Sequence, residues 1–325
     1  MSATLDPQTQ LSPESDFDLA AETGLETAAD GGIDVVNAEL PIDRDTILRS
    51  FWPENLRWGN VQWTVVAWMT LLHVGALAAP FYFSWTAVGV ALLLHWFTCS
   101  IGICLCYHRA LSHRSLKLRG PGKFLGLYAA AVAGEGSPLR WTMVHRIHHG
   151  HSDHPGDPHS PLEGKWWSHL LWMFVHQDVE IEKVAYRRYV PDLMKDRTVM
   201  FFEKTWHLWM FGTAALLYYF GGLPMLLWAV CVRMVFAYHS TWFVNSATHL
   251  WGYRNYQTTD ESRNLWWVAV LSYGEGWHNN HHAHPRLARA GHRWWEFDPT
   301  WVAISVLRTL GLATDVDDRV PKRAA

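Results

Sequence analysis

The chain has 325 residues, and 27 Lys and Arg against 30 Asp and Glu leave a formal net charge of −3, without the basic excess of a nucleic-acid partner. Four cysteines, all in apolar stretches, exclude a disulfide framework and read as buried, reduced thiols. Twenty-one tryptophans point to lipid headgroups, and a mean hydropathy of −0.07 fits a membrane protein once a large polar cap dilutes a few spanning helices.

Charge is unevenly spread. Residues 1–50 hold eleven acids and two arginines, a balance of −9, so the rest carries +6. Residues 1–45 lack helical or strand periodicity and read as a disordered acidic tail, with no apolar core of a signal peptide. Residues 46–312 form the expected domain, and 313–325 a short C-terminal tail.

Four apolar runs follow in order, about 61–81, 85–106, 207–221 and 223–244. The first two approach the ~20 residues that cross a ~30 Å hydrocarbon core. Tyr82-Phe83-Ser84 and Gly221-Gly222-Leu223-Pro224 are so short that the runs must pair as two hairpins. Arg233, costly in lipid, should face the protein interior. Neither hairpin tip holds Lys or Arg, whereas Arg44, Arg49, Arg57, residues 107–205 and the C-terminal segment hold nearly all of them. The positive-inside rule then makes both termini and the middle segment cytoplasmic. Two shorter runs, Phe124–Ala133 and Leu265–Leu271, suit helices lying in the interface. The expected fold is an all-α integral membrane protein, four transmembrane helices in two hairpins under a cytosolic helical cap.

Nine of the 20 histidines fall in clusters on that cytoplasmic side. They are His108 and His113; His145, His148 and His149; His249; and His278, His281 and His282. In His-x-x-His-His, positions i, i+3 and i+4 share a helix face, so each triplet is expected to converge on one point. His-x4-His sets its members about 140° apart on an ideal α-helix, so a kink or helix end is needed there. Nine nitrogens are too many for one ion, and two metals with four or five each fit better. Nitrogen-only sites suit iron, zinc or copper. Asp153, Asp157, Glu261 and Glu275 are the nearby carboxylates available to fix the imidazole tautomers. His151, His154, His159 and His284 lie beside the boxes but outside the repeated spacing.

The runs His108-Arg-Ala-Leu-Ser-His113, His145-Arg-Ile-His-His149, Asp157-Pro-His-Ser, Trp166-Trp-Ser-His, Asn245-Ser-Ala-Thr-His249 and Gly274-Glu-Gly-Trp-His-Asn-Asn-His-His282 resemble the membrane-bound fatty acyl desaturases. The stearoyl-CoA and delta-9-type branch is the nearest, over roughly residues 50–312. The resemblance implies a di-iron oxidoreductase that uses O2 and two electrons to place a cis double bond, at the ninth carbon, in a saturated acyl-CoA or acyl-lipid. It implies that the nine histidines are ligands and that Asn245 holds a metal-bound water. Thr241 and Trp242 match residues that bend the acyl tunnel. Relatives often carry Gln where this chain has Glu135, so polar contacts near the bend should differ. Without a His-Pro-Gly-Gly haem motif, electrons should come from a separate donor of ferredoxin, rubredoxin or cytochrome b5 type. Trp96 lies twelve residues before His108, ~18 Å at helical rise, so Trp96 or Leu92 is expected to floor the tunnel. A hydroxylase or ketolase of the wider histidine-box class is the alternative enzyme. A histidine-rich metal transporter is the non-enzymatic one, but its ligands should line a path rather than gather at one face.

Overall fold

The computed structural model describes residues 41–320, so all but the last few residues of the acidic tail lie outside the described residues. The first described helix, Arg44–Arg49, begins inside the expected tail, capped by the Asp43 carboxylate accepting from Thr46 N–H. Among the described residues, three stretches are long and apolar enough to cross a membrane: Trp63–Tyr82, Trp85–Ser112 and Arg197–His249. The third is not straight. Gly222 takes φ 62° and ψ −156° two residues before Pro224, a backbone open to glycine that breaks the helix where the sequence predicts a turn.

The second stretch changes its winding. Trp85–Trp96 is α-helical, and Phe97–Ser112 continues as a wider π-helix. A π-helix bonds i to i+5, so residues four or five apart share a face. The same stretch is packed tightly from the side. A Cβ on Gly102 would lie 2.4 Å from the Ala130 amide nitrogen, so only glycine lets the helix Gly120–Ala133 approach this closely. Behind it, Ile101, Leu105, Leu116, Ala129, Ile304 and Ala313 form one apolar cluster with the helix Pro299–Thr309.

A second cluster joins the first stretch to the third through Leu72, Met210, Leu227, Met234, Tyr238 and Trp242. Arg233 is buried there, donating to the carbonyls of Ala229 and Val132 at 3.2 and 3.0 Å, which satisfies a guanidinium that lipid could not. The C-terminal segment is tied down at its start: Ala313–Thr314 pairs antiparallel with Lys117–Leu118. Cap helices Pro138–His151, Lys165–His169, Val179–Tyr189 and His278–Ala283 cover one end of these stretches. All four cysteines are buried and free.

Candidate metal centre

The π-winding solves the problem posed by His-x4-His. His108 and His113 are five apart, and His113 N–H donates to the His108 carbonyl at 3.1 Å as the helix ends. On this winding both rings turn to one side, 4.9 Å between centroids. No kink is required, only the wider turn and the helix end.

Pro138–His151 is started by Ser137, whose hydroxyl accepts from Arg140 N–H, with Pro138 at the first helical position. Its three box histidines do not converge on one point. His145 and His149 join His108, His113 and His281, while His148 joins His249, His278 and His282. The last box divides the same way: His278 and His282 go to the second group and His281 to the first. The reason lies in the helix itself. Positions i and i+4 are 40° apart, but i+3 and i+4 are adjacent residues separated by 100°, so one box serves two centres.

Within each group the ligating atoms lie within 4.8 Å of one another. His113 and His145 bring their Nε2 atoms to 2.7 Å, His281 and His149 to 2.9 Å, and His108 and His281 to 3.0 Å. His278 and His249 stand at 3.0 Å. The buried Nε2 atoms of His148 and His282 have no partner. Carboxylates occupy the opposite nitrogens of several rings. His148 Nδ1 meets Asp157 at 2.9 Å, His249 Nδ1 meets Asp153 at 2.7 Å, and His282 Nδ1 meets Asp260 at 2.5 Å. Glu275 lies 2.9 Å from His108 Nδ1, off the line of a good hydrogen bond. A ring whose Nδ1–H is engaged keeps a lone pair on Nε2, so these rings present lone pairs to a shared centre.

That donor set fits two cations. Two nitrogens at right angles, each ~2.1 Å from one ion, stand about 3 Å apart, as these pairs do. Burial keeps His113, His145, His149, His278 and His281 well below their ordinary pKa, hence neutral and ready to ligate. Burial also lowers His282, to about 4. Burial would raise the Glu275 carboxyl, but Arg109 and His108 hold it down at about 2.

A pocket opens between the two groups. It is lined by His108, His145, His148 and His278 together with Cys99, Ile103, Cys104, Trp141, Thr241, Val244 and Asn245. Asn245 lines this pocket beside the four histidines. Glu135 sits behind the lining, accepting from Thr241 Oγ1 at 2.8 Å and from Trp141 Nε1 at 3.2 Å, and burial raises it to about 7. Trp242 is buried and stacked on Tyr238 rather than lining the pocket.

Two expectations are corrected. Trp96 and Leu92 are 41% and 64% exposed and do not line the pocket. The π-winding rotates the inward face to Cys99, Ile103, Cys104 and His108, a spacing of four and five. Glu261 touches no box histidine, because its carboxylate pairs with Arg254 and Arg263 while its amide donates to Asp153 at 2.8 Å. Its neighbour Asp260 takes the carboxylate position, fixed by accepting from the Ser262 amide and hydroxyl. Sequence reasoning missed Asp260; the Asp-x-Ser turn signal was legible, but not which acid of the pair turns inward. His159, one of the four undecided histidines, stacks on His148 with centroids 4.3 Å apart and forms a third group with His148 and Asp157.

The model of the family described as "Fatty acid desaturase" matches residues 83–307. The chain belongs to the fatty acid desaturase family. Among curated relatives of this desaturase is an sn-2 palmitoyl-lipid 9-desaturase of Nostoc sp. (strain 36), 43% identical over 84% of this chain and 96% of that protein. An sn-1 stearoyl-lipid 9-desaturase of Anabaena variabilis is 44% identical over 79% of this chain and 94% of its own length. An acyl-CoA 5-desaturase of Anemone leveillei is 44% identical over 75% of this chain and 76% of its own length. The desaturase is thus an oxidoreductase whose histidine groups are compatible with a metal site and whose apolar helices are consistent with membrane association.

Proposed function

We propose that this desaturase introduces a cis double bond at the ninth carbon of a saturated chain esterified in a membrane glycerolipid. The observation that carries the reading is the pair of histidine groups, five and four, meeting at a pocket whose far wall is the apolar face Cys99, Ile103 and Val244. The 9-desaturase names of the lipid-acting relatives support the position and the carrier.

His108, His113, His145, His149 and His281 would hold one iron, and His148, His249, His278 and His282 the other, with Asn245 placed to hold a water. Bound iron supplies, with O2 and two electrons from a separate donor protein, the oxidant that an unactivated C–H bond requires and side-chain acid–base chemistry cannot provide. The chain's own residues do the rest. Trp141, Thr241 and Glu135 form a hydrogen-bonded corner that fixes the pocket's bend, and Ile103 and Val244 exclude water around the acyl chain. Adjacent methylenes are chemically alike, so position is selected by where the bend holds the chain.

In this reading the third apolar stretch crosses twice, turning at Gly222–Pro224, giving four crossings in two hairpins. Both termini and the cap then lie in the cytoplasm. The distribution of Lys and Arg supports that orientation.

Expression in a host lacking 9-desaturation, followed by gas chromatography–mass spectrometry of each lipid class, tests the proposal. A 9-monoene in intact glycerolipid is expected. A hydroxylated acyl chain, or a double bond formed only on acyl-CoA, overturns it.

A further inference from the structure

The two histidine groups differ in what stands behind them. In the four-histidine group, three of the four rings meet a carboxylate through Nδ1: Asp157 on His148, Asp153 on His249 and Asp260 on His282. No Lys or Arg side chain forms an ion pair with these three acids among the described residues. In the five-histidine group, among the described residues, only His108 meets one, Glu275, and that carboxylate is shared with the buried Arg109 at 3.0 Å. Arg109 also pairs with Asp298 at 2.8 Å and donates to the Ala288 carbonyl.

We infer that the two metal positions are unequal, the four-histidine position being the tighter and the one that favours the more highly charged ion. The inference rests on the di-iron reading above and adds which position dominates. Three anions against the backs of the ligand rings raise imidazole basicity and set a negative field at the ion. One anion, partly offset by a guanidinium that it shares with Asp298, does neither to the same degree. The fifth imidazole of the other group adds a neutral donor, whose dipole is weaker than a full charge in a buried site. Asp153, Asp157 and Asp260 are thus positioning residues for one ion and not for both.

The test uses the full-length holoenzyme in detergent, reduced under argon and challenged with excess ferrous chelator, with release followed by absorbance. Two irons per chain should leave in two phases of equal amplitude, at least 10-fold apart in rate. Asp260→Asn keeps an oxygen for Ser262 but loses the acceptor for His282. It should speed the slow phase by about 10- to 100-fold and leave the fast phase unchanged. Asp157→Asn should act on the same phase, which guards against one variant failing to fold. Glu275→Gln should change only the fast phase. Two irons leaving in one phase, or Asp260→Asn changing the fast phase instead, would overturn the inference. A purified chain that binds no iron would overturn the di-iron reading itself.

Discussion

The first and second long apolar stretches are alike in hydropathy and opposite in use. Over their most apolar windows, Trp63–Tyr82 is 11% buried and Trp85–Ser112 is 56% buried. The first meets protein along a narrow line that includes Leu72, while Leu71, Val74 and Leu77 stay exposed on the lipid side. The second is buried all round from Thr98 to Tyr107 and delivers His108 and His113 to the five-histidine group. Apolarity therefore states that a helix can sit in a membrane. Which helix carries chemistry is decided by winding and by neighbours such as Gly120–Ala133.

The largest contrast should come from ligands. His108→Ala is expected to lower desaturation by at least about 100-fold and to lower bound iron, whereas Leu71→Ala on the first stretch should stay within about twofold. Product yield and metal analysis of the two purified variants check this. Equal losses would dissolve the contrast. Packing gives the next effect. Gly102→Leu drives a side chain into the Ala129–Ala130 backbone and should cost about 3 kcal/mol or more, while Gly89→Ala, with nothing within 4 Å, should be neutral or stabilising. Thermal unfolding in detergent ranks them.

Burial beside the second stretch also sets a pH dependence through Glu135. Its folded carboxyl titrates near 7, raised by burial from 4.5. The group therefore contributes full stability below about pH 4.5, loses it as pH rises toward 7, and levels off above, a span of up to about 3 kcal/mol. Unfolding midpoints of Glu135→Gln between pH 4.5 and 8 should lack that slope; an unchanged slope relative to the parent would assign it elsewhere. The smallest effects lie at the change of winding. Ile103→Phe should shift products toward shorter chains by filling the pocket, and Trp96→Ala, on the lipid side, should leave the chain-length profile as it was. Chromatography of products from mixed-length lipids separates them.

Much of this was legible beforehand. The apolar runs, the break near Gly222 and the interior Arg233 followed from composition and from what lipid tolerates. The nine clustered histidines and three of the four carboxylates that meet them were read from spacing and proximity. What spacing could not carry was winding. Helical rise alone sets Leu92 and Trp96 at the depth of a tunnel floor, whereas the π-winding before His108 turns Cys99 and Ile103 to the pocket. Nor could proximity in sequence choose between Asp260 and Glu261, because a single turn of loop backbone points one inward and the other toward Arg254 and Arg263.

The division of each His-x-x-His-His box between two centres has a consequence for biosynthesis. Neither centre can be completed by one segment of chain. Ligands for both come from residues before 150 and again from residues after 277, with more than a hundred residues between them. As the chain emerges from the ribosome, His108, His113, His145, His148 and His149 exist long before His278, His281 and His282. Both histidine groups must stay incomplete until the last box is made, and then both close together. A prematurely stopped chain is left with two half-built sites rather than one finished one.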